Sequence, residues 1–290
     1  MGNLKKTFPA VAFLALLLTA CSPRTIALRE TAALVHEGAP ALFEEPDPQF
    51  ARETFGSQLK LLELLLRNEP DNKSLLELSA EGFNGYAFLF LEDGAPERAK
   101  SMYLRGRDYG LRLASRNSSL AKLESLDLDG ARAALEKAKP EDAPGLFWAA
   151  FGWAGFINLS KDSPAALSEL PKAVAIMERA RQLAPDYHFA GADLFFGIYY
   201  ASRPAILGGD VKKAQAAFQE ARRRTGGKYL MTYVLEAKYF AVAAQDQEAF
   251  KSLLQKVKDS PSGQLANARL TDEVAKEKAE KLMEKQNDLF

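Results

Sequence analysis

The sequence predicts an all-α protein, an array of helical hairpins with interrupted repeats, and three observations carry that expectation. Apolar residues recur at spacings of three and four, alternating β-branched runs are scarce, and the helix-favouring Ala, Leu, Lys and Glu are abundant. In the first predicted helix, Phe55, Leu59, Leu62, Leu65 and Leu66 share one face. The stretch Arg67-Asn68-Glu69-Pro70-Asp71-Asn72 then closes it and opens the next, because Pro cannot continue a helix and Asp or Asn caps a new one. The second helix carries Leu75, Leu78, Ser79, Gly82, Gly85 and Tyr86. After Asp93-Gly94-Ala95-Pro96 a third begins, with Ala99, Tyr103 and Gly106 running on into Tyr109, Leu111 and Leu113.

The same grammar returns in Ala173, Met177 and Ala180 before Pro185-Asp186, and again in Ala214, Phe218 and Ala221. Small, bulky and small residues at these spacings let paired helices approach closely around an inserted side chain. Trp148-x-x-Phe151-Gly152 supplies the matching front half, and together these resemble degenerate tetratricopeptide repeats of about 34 residues. Turn residues in 161–171 and 202–210 interrupt them. Such arrays expose a concave face that binds a peptide, a protein or a buried ligand. The Arg222-Arg223-Arg224 run reads as the last turn of a helix that Gly226-Gly227 ends. The tail from Leu270 to Phe290 alternates Lys and Glu around Val274, Leu282 and Leu289, and is expected to be a capping helix exposed on most of its surface.

The N-terminus shows Lys5 and Lys6, an apolar stretch from Phe8 to Leu18, and then Leu18-Thr19-Ala20-Cys21. That is the pattern of a signal peptide ending in a lipobox; the apolar stretch is shorter than the ~20 residues a spanning helix needs. The expected organisation is a lipoprotein signal peptide over 1–20, a tether and leading helix over 21–50, and a helical domain over 51–290. Cys21, the one cysteine of the chain, is the expected lipidation site and attaches the protein to a membrane; alone it can form neither an internal disulfide nor a thiolate metal cluster. This places the protein on the periplasmic side of the envelope, and Ser22, where an inner-membrane retention signal favours Asp, leans toward the outer membrane. Lys plus Arg and Asp plus Glu number 38 each, so the chain has little electrostatic reason to bind nucleic acid.

Two aromatic segments stand out, 147–156 and 195–200, the second followed by Arg203-Pro204. Large rings alternating with Gly and Ala suit either dense interhelical packing or an aromatic-walled cavity. In the second reading the candidates are Trp148, Phe151, Trp153, Phe156, Phe195, Phe196, Tyr199, Tyr200 and Arg203, with Asn158 as a further polar group. Arg203 can take a carboxylate in two parallel hydrogen bonds, or cap its own helix. Ser125-x-Asp127-x-Asp129-Gly130 partly imitates a calcium loop, but Ser stands in the leading position, and Asp129 as N-cap of a helix over Ala131–Ala138 accounts for the same residues. With only His36 and His188 present, a His-rich metal site is excluded, and His188 is expected to cap the turn after Pro185-Asp186. No catalytic constellation, metal site or cofactor motif emerges.

Residues 98–109, the run from Leu146 to Asp162, Phe195 to Gly209, Leu170-Pro171, Arg203-Pro204, the lipobox, Ala266-Asn267 and the closing Asp288-Leu289-Phe290 together resemble the T-component lipoproteins of tripartite ATP-independent periplasmic (TRAP) transporters. The resemblance implies a tetratricopeptide-like, lipid-anchored, non-enzymatic protein that assembles as a homotrimer and docks the substrate-binding P-component. It further implies a cavity or pore in each protomer that passes a small organic ligand to that partner, and it carries over Cys21. The competing reading is a tetratricopeptide-like scaffold lipoprotein of envelope assembly.

Overall fold

The computed structural model describes residues 23–290, and every regular element among them is helical. The expected signal peptide over 1–20 and the expected lipidation site Cys21 lie outside the described residues. Following α1 (Pro23–Gly38) and the single turn α2 (Pro40–Phe43), α3 spans Pro48–Leu66 and α4 spans Lys73–Tyr86. Each start has a local cause. Asp47 accepts hydrogen bonds from the N–H groups of Gln49 and Phe50, with Pro48 in the first helical position, and Asn72 accepts from Leu75 N–H. Helix α4 continues as a π-helical turn over Ala87–Leu91. Next come α5 (Pro96–Ala114), α6 (Leu128–Leu135) and α7 (Ala143–Asn158). The cap of α6 is Asp127, which accepts from Gly130 N–H, and not Asp129, whose side chain is 93% exposed; the helix starts three residues earlier than its sequence suggested.

The chain goes on through α8 (Pro164–Ser168), α9 (Leu170–Leu183), α10 (Tyr187–Ala201) and α11 (Val211–Arg224). The last part comprises α12 (Leu230–Leu235), its π-helical continuation Glu236–Ala241, α13 (Gln247–Asp259), α14 (Arg269–Glu284) and the turn α15 (Gln286–Leu289). Gly226 and Gly227, at φ of 60° and 69°, end the arginine run, whose charges are met: Arg222 by Glu236, Arg223 by Glu220, and Arg224 by Asp186, Glu220 and the fully buried Asp193.

Neighbouring helices pair along the array, α4 with α5, α5 with α7, α7 with α9 and α10 with α11. The α5–α7 crossing is the tightest. A Cβ on Gly110 would lie 2.4 Å from Ala149 N, and one on Gly145 would lie 2.7 Å from Ala114 N, so the two backbones touch. Asn84 of α4 wedges into the same crossing, fully buried, and donates from Nδ2 to the Trp148 carbonyl at 2.9 Å; Gly106 and Gly152 leave the space it fills.

Two main cores result. One lies around Leu146, Trp148, Trp153, Ile176 and Met177. The other joins Phe55, Leu59 and Leu75 near the start of the domain to Leu230, Phe250, Leu270 and Val274 near its end. Helix α14 is thus more than an exposed cap. It buries Leu270, Val274, Ala275 and Ala279, and Asp272, fully buried, accepts from Leu230 N–H and Gly263 N–H at 3.0 Å each. Lys278 and Lys238 both pair with Asp93, and Arg52 pairs with Glu277 at 3.7 Å, tying α14 back onto the first hairpin.

Candidate functional site

Helices α7 and α10 are apolar nearly all round, which requires burial on every side. Together with α4, the π-helical turn after it and α12, they enclose an apolar cavity of about 340 Å³, within the range of small-molecule sites. Its walls are ring-rich, with Phe88, Phe147, Trp148, Phe151, Phe195 and Tyr199 all on the lining. The glycines there do two different things. Gly85 leaves open space, whereas a Cβ on Gly155 would strike the Tyr103 ring at 2.7 Å and one on Gly191 would strike Phe147 at 2.6 Å. Those two glycines therefore make room for rings.

Of the candidates read from the sequence, Trp148, Phe151, Phe195, Tyr199, Arg203 and Asn158 line the cavity. Trp153, Phe156, Phe196 and Tyr200 stand away from the lining. The reason is helical phase. Residues 148, 151, 154, 155 and 158 recur at three and four on one face of α7, as 195, 198, 199 and 202 do on α10, and the other rings fall off those faces. Trp153 lies instead beneath Arg107 and Lys172, Phe196 beneath Arg181, Tyr200 beside Lys213, and Phe156 packs on the small core of Leu91 and Tyr103. Arg203 sits 4.4 Å over the Tyr199 ring. Lys161, Leu167 and Leu207 also reach the lining, and the exposure of both leucines marks where the cavity meets the surface.

Polar groups on the wall are few, and most were not foreseen. Trp148 donates its indole N–H to the Tyr187 hydroxyl at 2.9 Å, and Tyr187 donates in turn to Glu77 at 3.0 Å. One helical turn on from Glu77, Glu81 faces the cavity; burial and the like charge of Glu77 push its carboxyl up to about 8. Glu92, also on the wall, is pushed up by burial and drawn back by Lys238 and Lys278. His188 faces Glu81, Nδ1 to Oε1 at 3.6 Å, and burial lowers its imidazole to about 4, so it is neutral.

His188 is not a turn cap. Its φ is 47°, and Phe189 and Ala190 follow at 58° and 56°, three successive L-residues in the left-handed region that precede the right-handed part of α10. Each costs roughly 1–2 kcal/mol. The turn is held by packing: the His188 ring meets Trp148 edge-on at 4.5 Å, and Phe189 stacks on Tyr229 at 4.4 Å. The sequence did carry a signal for Glu81. Glu77 and Glu81 lie four apart on a helix face otherwise formed by Leu78, Gly82, Gly85 and Leu89; Lys73 stands four residues before Glu77, but no lysine or arginine lies three or four from Glu81.

Among the described residues no group of His, Cys, Asp and Glu could hold a metal ion, and no helix is long and apolar enough to cross a membrane. An apolar, ring-walled chamber with a few convergent polar groups, set in a helical array, has the geometry of a binding protein. The family follows from the sequence match: residues 44–290 match the TRAP transporter T-component family, and the chain belongs to it. That is a family of transporter accessory components. Over 202 residues the chain is also 26% identical to an uncharacterized protein of Treponema pallidum (strain Nichols), covering 62% of this chain and 61% of that protein. The match thus spans less than two thirds of that relative's length.

Proposed function

We propose that the protein docks the substrate-binding P-component of a TRAP transporter and passes it a small organic ligand through the aromatic cavity. The observation that carries this reading is the opening of the cavity at the surface. Leu167 and Leu207 flank it, Ile206 (92% exposed) and Val211 extend an apolar rim beyond it, and Lys161 and Arg203 place positive charge beside it. Exposed apolar residues bordering a cavity mouth suit a partner that covers the mouth and receives its contents. In this reading lipid on Cys21 holds the protein to the periplasmic face of the envelope, the outer membrane above the inner, and the tetratricopeptide-like pairing of helices provides a rigid frame. A homotrimer aligns three such mouths.

The test is a pull-down from periplasmic extract with the mature chain carrying Cys21→Ser, followed by mass spectrometry of bound proteins. A solute-binding protein as main partner, lost in Ile206→Asp and Leu207→Asp, supports the proposal; recovery of envelope-assembly proteins alone refutes it. Light scattering that gives only a monomer across micromolar concentrations removes the trimer.

A further inference from the structure

We propose that Glu81 and His188 form a polar subsite inside the cavity that recognises a hydroxyl group carried on an otherwise apolar molecule. The inference rests on the reading of the cavity as a ligand site and names the chemistry of what enters it. Four observations converge. Both side chains lie deep in the molecule, yet 19% of Glu81 and 24% of His188 are bare, and both are on the cavity wall, so the bare surface faces the chamber. Their separation of 3.6 Å is too long for a direct hydrogen bond, so each keeps unused bonding capacity.

The pair is also uncharged as a unit at neutral pH, since burial holds the imidazole neutral and, with Glu77 beside it, keeps the carboxyl protonated. Among the described residues Glu81 has no lysine or arginine partner within ion-pairing distance. At this end of the cavity a carboxylate head group would therefore meet the charge of Glu77, the lining cations Lys161 and Arg203 standing at the mouth instead, and an ammonium head would need Glu81 ionised first; a hydroxyl, both donor and acceptor, is desolvated at least cost and can bridge the two. Trp148 is not a competitor, because its N–H is already given to Tyr187. Finally, the left-handed turn at 188–190 is a costly way to change chain direction where glycine would serve, and its effect is to put the His188 ring into the cavity wall.

Isothermal titration of the mature Cys21→Ser chain at pH 7 with decanol, decanoate and decylamine tests this. Decanol is expected to bind tightest. Glu81→Leu should weaken decanol by about tenfold, the loss of roughly one good hydrogen bond. Glu81→Gln, which keeps a donor and an acceptor in the same shape, should stay within about threefold of the wild type and serves as the folding control. Tightest binding of decylamine overturns the proposal in favour of an acidic, ammonium-binding site. Equal binding of the three compounds, or unchanged decanol binding in Glu81→Leu, also overturns it and leaves the cavity as an apolar ligand site. Failure of every decyl compound to bind removes the ligand-site reading along with it.

Discussion

Replacing Glu81 by Gln should stabilise the protein, and by an amount that depends on pH. In the folded chain the carboxyl keeps its proton up to about 8, whereas its ordinary value is 4.5. Between these two values the unfolded chain has released a proton that the folded chain still holds, so stability falls as pH rises through that window and levels off above it. At ~1.4 kcal/mol per unit, the gap corresponds to roughly 5 kcal/mol lost between pH 4 and pH 9. This is an upper bound, because water drawn into the cavity solvates the carboxylate. Glutamine has nothing to ionise and removes this loss while preserving shape. Urea unfolding of wild type and Glu81→Gln at intervals from pH 4 to pH 9 reads it directly: the curves should meet near pH 4 and separate steadily above 5, with the variant more stable. Parallel curves across that range would show that Glu81 ionises as freely in the fold as outside it, and the reasoning about its environment would fail. Such a group costs stability in the resting protein, which fits a side chain kept for binding.

Four more outcomes follow from the packing. Gly145→Ala puts a methyl group 2.7 Å from the Ala114 nitrogen, a backbone atom that cannot swing aside; a loss of about 1–3 kcal/mol is expected, seen as a fall of roughly 2–10 °C in Tm. Trp148→Ala empties a fully buried site and removes the donor to the Tyr187 hydroxyl oxygen, which keeps its bond to Glu77, for about 3–5 kcal/mol. Tyr199→Ala, on the half-buried rim, should cost only about 1 kcal/mol while weakening ligand retention, and calorimetry beside thermal melts separates the two. Asp272→Ala leaves the N–H groups of Leu230 and Gly263 unmatched inside the protein. About 2–5 kcal/mol should be lost in urea titration, with Asp272→Asn less damaging.

Helices could be read from the sequence because their signals are local: the period of Phe55, Leu59, Leu62 and Leu66, and the break at Pro70-Asp71-Asn72, need no knowledge of what packs on them. The aromatic runs could be found in the same way, but their inward rings could not, since the choice between Phe151 and Trp153 depends on the rotation of α7 against α4 and α10. Two errors share one cause. His188 as a turn cap and α14 as a mostly exposed cap both treated a residue by its immediate neighbours when contacts made far along the chain decided the outcome, whereas Asp127 and not Asp129 caps α6 through a bond to Gly130 N–H only three residues on. The π-helical turns at 87–91 and 236–241 left no pattern that periodicity could detect.

The return of α14 onto the first hairpin has an evolutionary consequence. Open arrays of helix pairs grow and shrink by duplication or deletion of a unit, because each unit touches only its neighbours and a new end is as good as the old one. Here the ends are joined through the shared core of Phe55 and Val274 and through Asp93, which holds Lys238 and Lys278 at once. Adding or removing one hairpin would leave those partners out of reach. The number of units is thereby frozen, and lineages carrying this arrangement are expected to vary in their loops, such as 161–171 and 202–210, while the count of hairpins stays fixed.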